Sequence, residues 1–189
     1  MIRWLVCAAL VCAGAAKAEV ILSPAEIAQT LSFGPWPPEM EPDPSNRVSG
    51  NVDAVALGAA LFSDPILSVD GGFACSSCHD PEQGFTTPLE RAVGREILDR
   101  NSPSLMNLSG LRWFGWGGKS DNLWAASLHP ILSELEMAHS AESWRAALVN
   151  SSHAEAFEAI FGPIAEQTPE TVLVNTAKAF AAYQETLVT

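Results

Sequence analysis

Cys75, Cys78 and His79 stand in the stretch ACSSCHDPEQGF, residues 74–85, with two residues between the thiols and the imidazole directly after the second. Three chemistries use such a pair. A structural zinc site takes four Cys or His ligands in a tetrahedron, yet the other histidines, His129, His139 and His153, form no H-x(3–5)-H pair. A redox dithiol of the thioredoxin kind wants a βαβ setting. Covalent haem c uses all three residues: the thiols bond the vinyl groups, and the next position carries His79 to the iron as proximal ligand.

The elements that must position this turn are helical. From Asn51, the residues Val55, Leu57, Gly58, Leu61 and Phe62 fall on one helical stripe that Ser63-Asp64-Pro65 stops. Ser120-Asp121-Asn122 can cap a helix through Leu128, Ser140-Ala141-Glu142 another to Val149, and Ser151 or Ser152 a third through Phe161. Thr168-Pro169-Glu170 opens the clearest helix, with Leu173, Ala177, Phe180 and Leu187 at helical spacing. Between Leu67 and Leu123 the chain is rich in Gly, Ser, Asn, Asp and Pro and shows no sustained strand alternation. So long a loop needs something to order it, and the faces of a haem would serve. The expected class is all-α, a cytochrome c-like helical domain with long haem-ordered loops.

Residues 1–18 begin with Arg3, run apolar from Trp4 to Ala16 and end on Ala16-Lys17-Ala18. This reads as a secretory signal cut before Glu19, too short for a membrane anchor, and it places the protein in the periplasm. Removing it leaves Cys75 and Cys78 as the remaining cysteines, so no disulfide framework is expected. It also removes two cations and no acid from a chain of formal charge −12. Such acidity argues against nucleic acid and suits a basic redox partner, though it also serves solubility alone. Residues 19–50, with six prolines, read as an extended N-terminal arm, and residues 51–189 as one domain.

The stretches ALGAALFSDPILSVDGGFACSSCHDPEQGF, RNSPSLMN, WFGWGGKSDNLW and LEMA, with the closing AKAFAAYQETLV, resemble in order the N-terminal haem domain of bacterial di-haem cytochrome c peroxidases and MauG-type enzymes. The resemblance implies that this haem is the peroxidatic one, where hydrogen peroxide binds and its O–O bond breaks. It places the acid–base group at Glu136 of the Glu136-Met137 pair, with Glu134 the near competitor. Trp116 falls where the family has a tryptophan between the two haems, with electron transfer its implied role; Trp113 and Trp124 look like packing residues. Asn101 matches an asparagine associated with a calcium site between the domains. That site draws its other ligands from the second domain, which leaves calcium doubtful here.

Two departures from the family pattern matter. Many members carry a distal histidine sixteen residues after the proximal one, where this chain has Arg95. Arginine stays protonated and does not ligate iron; it can anchor a propionate, draw charge off a peroxide, or be a surface residue. The sequence also ends at Thr189, where the second haem domain of the family begins. That leaves a separate C-terminal haem domain, a one-haem enzyme or a shortened frame. The expected function is reduction of hydrogen peroxide with electrons from a small cytochrome c or cupredoxin. The alternatives are a monohaem electron carrier, with Met106, Met137 or His129 as sixth ligand, and an inactive remnant.

Overall fold

The computed structural model describes residues 20–37 and 41–189. The proposed signal segment and its cleavage point lie outside the described residues. The described residues divide into two compact units, 20–37 and 41–189.

In the first unit, helix α1 runs over Pro24–Leu31, inside the arm expected to be extended. The cause is local: Ser23 accepts from the Glu26 N–H, the Glu26 carboxylate accepts from the Ser23 N–H, and Pro24 occupies the first turn, where its missing donor costs nothing.

The second unit is built on α2 (Val52–Phe62), α3 (Leu123–Leu132), α4 (Ala141–Val149), α5 (Ala154–Phe161) and α6 (Pro169–Gln184). Asn51 caps α2 by accepting from the Asp53 and Ala54 amides, and Thr168 caps α6 with Pro169 behind it. Helix α6 is the axis of the domain, packed by α2, α3 and α4, while α5 covers α2. Leu57, Leu61 and Phe62 of α2 meet Trp144 and Leu148 of α4, Phe157 of α5, and Val172 and Phe180 of α6 in one core. Each such side chain removed from water contributes about 1.5–3 kcal/mol. Residues 41–50 belong to this unit rather than to a free arm: Asn46 and Val48 are buried, and the Asn46 amide donates to the Lys178 carbonyl at 3.0 Å.

Trp144 is fully buried, and its indole N–H donates at 2.9 Å to Thr176 Oγ1, which in turn donates to the Val172 carbonyl. Trp144→Phe leaves that hydroxyl's lone pair unpartnered beside a smaller ring. A loss of about 1–3 kcal/mol in chemical unfolding is expected; an unchanged denaturation midpoint would contradict it.

Three boundaries differ from the sequence expectation. Helix α3 continues past Leu128 to Leu132 with Pro130 inside it. Helix α5 starts at Ala154, two to three residues after the expected caps, although the Ser151 hydroxyl accepts from the His153 amide at 3.1 Å. Helix α6 stops at Gln184, so Leu187 lies beyond it, and its carbonyl accepts from the Asn107 amide at 2.7 Å. Between residues 67 and 123 the described chain holds only short 3-10 turns and the isolated bridges Asp80–Thr86, Val93–Ile97 and Phe114–Ser120.

Candidate functional site

Cys75–Ser77 form a 3-10 turn closed at its start by the Ser77 hydroxyl, which accepts from the Ala74 N–H at 3.0 Å. The Cys78 and His79 amides both donate to the Cys75 carbonyl, at 3.2 and 2.9 Å. One tight turn therefore carries both unpaired thiols and the imidazole. His79 Nδ1 lies 3.0 Å from the Phe85 carbonyl. A carbonyl only accepts, so Nδ1 carries the proton and the Nε2 lone pair is left for a metal. Burial holds the imidazole below its ordinary pKa, against the pull of the Phe85 and Pro103 carbonyls, and so keeps it neutral.

Phe85 achieves this with a positive φ of 56°, uncommon for a bulky residue. Its ring is fixed edge-on between Phe62 of α2 and Tyr183 of α6, with centroids 6.0 and 6.5 Å away, and those two rings are 5.3 Å apart. Packing against the core thus holds the backbone that aims the histidine.

A second segment, residues 133–139, folds back on the end of α3. The Met137 and His139 amides donate to the Pro130 and Ile131 carbonyls at 3.1 and 2.9 Å, capping groups the helix leaves open. Glu136 sits on this loop, half-buried, and burial raises its carboxyl above the ordinary value while the Ser133 hydroxyl pulls it down. Its charge reaches both cysteines. The Cys75 thiol is pushed up to about 12, first by burial, then by Cys78 and Glu136; Cys78 is raised by burial and Glu136. The fold thus brings Cys75, Cys78 and Glu136 within electrostatic reach of one another. Glu134 is exposed.

The two segments are joined by residues 93–96. The Cys78 thiol donates to the Val93 carbonyl at 3.4 Å, the Glu96 amide donates to the Leu135 carbonyl at 3.2 Å, and Arg95 pairs with Asp70 at 3.6 Å. Asp70 lies below the ordinary carboxylate range, held mainly by the Gly72 amide and the Ser68 hydroxyl, with Arg95 adding to them. The nearby Val69 amide donates to the Met137 carbonyl.

Trp116 tips a glycine-rich loop closed by paired bonds between Phe114 and Ser120, and its indole donates to the Asn101 carbonyl at 2.8 Å. Trp116 and Trp113 are both 61% exposed, so Trp113 is not packed by this chain, whereas Trp124 bonds Ser45 and lies under Lys178. The Asn101 side chain clips neighbouring loops, donating to the Thr87 and Leu89 carbonyls and accepting from Thr86. Among the described residues, no group of three or more His, Cys, Asp or Glu is placed to hold a metal ion. Phe85, Asp70 and Gly94 carry no chemical signal in the sequence; only a fold reveals their places.

Two thiols, an imidazole whose Nδ1 faces a carbonyl and an apolar surround make up a donor set that fits haem. Val69, Val93, Leu135 and the neighbouring Ile97 expose 51, 43, 50 and 61% of their surface. So many open aliphatic side chains around one turn suit the faces of a flat apolar group. His79 could ligate the iron, and Cys75 and Cys78 could hold the ring.

An all-α domain carrying such a turn defines a cytochrome c-like haem protein. The model of the family described as di-haem cytochrome c peroxidase matches residues 52–189, and the chain belongs to that family, whose members carry c-type haem and peroxidase-type redox chemistry. It is 39% identical over 129 residues to the methylamine utilization protein MauG of Methylorubrum extorquens, covering 67% of this chain and 36% of that protein. It is 32% identical over 143 residues to the cytochrome c551 peroxidase of Nitrosomonas europaea, covering 74% and 41%. The crystal structure of the diheme peroxidase BthA of Burkholderia thailandensis superposes with a TM-score of 0.66 at 26% identity, over 78% of this chain and 40% of that one. The chain thus spans well under half the length of these relatives. No described helix is long and apolar enough to cross a membrane.

Proposed function

We propose that this chain is the peroxidatic haem domain of an exported, periplasmic peroxidase, reducing hydrogen peroxide to two waters with two electrons and two protons. Cys75 and Cys78 would hold the haem through thioether bonds and His79 would ligate its iron. When bound, the haem supplies the one-electron redox chemistry. Glu136 would carry a proton between the two peroxide oxygens, a task that suits a carboxyl that burial raises above its ordinary value. Arg95, steadied by Asp70, adds positive charge beside the Glu136 loop. Electrons from a small cytochrome c or cupredoxin reach the site by way of a second haem domain and past Trp116, whose exposed ring suits a docking face.

The observation that carries this reading is the placement of Glu136 within electrostatic reach of both cysteines. A monohaem carrier would need a strong sixth ligand. Of its candidates, Met137 is enclosed in the core and His129 is engaged with Ser120 at 3.1 Å, which leaves the half-buried Met106 as the ligand a carrier would have to use. On the peroxidase reading the sixth position stays open. The haem-loaded chain is therefore expected to show a high-spin ferric spectrum and to bind cyanide without prior reduction. A fully low-spin ferric spectrum that cyanide leaves unchanged would overturn the proposal in favour of the carrier.

A further inference from the structure

Gly94 is not in the left-handed region, so its backbone conformation does not call for glycine. Space does. A Cβ at this position would lie 2.7 Å from the Leu135 carbonyl oxygen and 3.2 Å from the Cα of Glu136. Both are main-chain atoms, which no side-chain rotation can move aside. Its neighbours fasten the same contact: the Gly94 amide donates to the Glu96 carbonyl at 3.0 Å, and the Glu96 amide donates to the Leu135 carbonyl at 3.2 Å. On the other side, Arg95 pairs with Asp70 at 3.6 Å, and the Ala92 amide beside it donates to the Arg100 carbonyl at 2.9 Å. Residues 93–96 therefore brace the Glu136 loop, and at Gly94 two backbones touch without a side chain between them.

We infer that Gly94 is a positioning residue for Glu136, fixing how closely the acid–base carboxyl approaches the turn that holds the haem. The inference rests on the proposed role of Glu136. Alanine at 94 must push the Leu135–Glu136 backbone away or be pushed itself. The contact is main chain against main chain, so a methyl group at 94 widens the spacing between residue 94 and residues 135–136. A shift of a fraction of an ångström in a proton-transfer group slows a reaction steeply.

The test uses the haem-loaded chain in four forms: wild type, Gly94→Ala, Glu136→Gln and the double variant. A crystal structure of Gly94→Ala is expected to show the backbone at 135–136 displaced away from residue 94. The reaction of that variant with peroxide is expected to slow about 10- to 100-fold, with a displaced acid limb in its pH profile. In the Glu136→Gln background the same change should add little, because a residue that acts through Glu136 has nothing left to position. An undisplaced Glu136, an unchanged rate, or equal slowing in both backgrounds overturns the inference. A Gly94→Ala chain that does not accumulate with haem makes the glycine a folding requirement and overturns it too. Should Glu136→Gln react as wild type does, the functional reading of Glu136 itself fails and the inference falls with it; slow Glu136→Gln beside normal Gly94→Ala removes the inference alone.

Discussion

Glu136→Gln, haem still attached, is expected to react with peroxide about 10² to 10⁴ times more slowly than the wild type, the usual size of a general acid–base contribution. Glutamine keeps the shape and the hydrogen-bonding capacity of the side chain but cannot take up and return a proton. The same change should stabilise the fold near neutrality. Burial raises the folded carboxyl above 4.5, so the ionised form is the one the fold disfavours. Below 4.5 the acid is neutral folded or unfolded and nothing is lost. As pH rises from 4.5 through the raised folded value the wild type loses stability, and above it the whole penalty is present. Glutamine has no charge to bury. Stopped-flow mixing with peroxide and thermal unfolding from pH 4 to 8 measure the two effects. A wild-type rate in the variant would remove Glu136 from the acid–base role, and a stability difference that does not grow with pH would remove the buried charge from the account.

Gly58→Ala should be the most damaging small substitution in the core. Its Cβ would lie 2.2 Å from the Ala179 carbonyl oxygen, 2.8 Å from the Ala179 carbonyl carbon and 2.9 Å from Tyr183 Cβ, where α2 crosses α6. Alanine favours the helix by about 1 kcal/mol. Overpacking against a rigid helix backbone outweighs this, and a net loss of about 3 kcal/mol is expected, lowering the melting temperature by about 6–12 °C. The damage should also travel. Moving Tyr183 disturbs the ring that holds Phe85, and Phe85 aims His79. Gly117→Ala, with nothing within 4 Å, is the control and should melt as the wild type does. Equal melting of the two variants would mean that the crossing has slack.

The parts legible in the sequence were those with a local cause. Thr168-Pro169 and Asn51 announce α6 and α2 because a cap and its helix lie within a few residues. The turn that gathers Cys75, Cys78 and His79 was legible for the same reason, three side chains in five positions. Ser23-Pro24 with Glu26 is an equally local signal, masked by the surrounding prolines, which make the whole segment read as extended. What could not be read depends on distant contacts. Nothing near Phe85 says that its ring will lodge between residues 62 and 183, and nothing near Gly94 says that the backbone of residue 135 will arrive against it. Helix α3 runs through Pro130 because amides of the following loop return to its end, a bond pattern that a proline alone does not announce. The proposed roles of Glu136 and Trp116 rest on resemblance, and those of Arg95 on a departure from it.

The acceptor for His79 is the main-chain oxygen of Phe85, so no exchange of side chain at position 85 can delete it. Across a lineage the three rings could be repainted with other apolar groups, and the histidine would keep its tautomer so long as the chain path survived. The electronic character of the imidazole is therefore insulated from mutational drift. Retuning it would require bending the backbone around Gly84 and Phe85, both at positive φ, a rarer event than a point change in a hydrogen-bonding side chain.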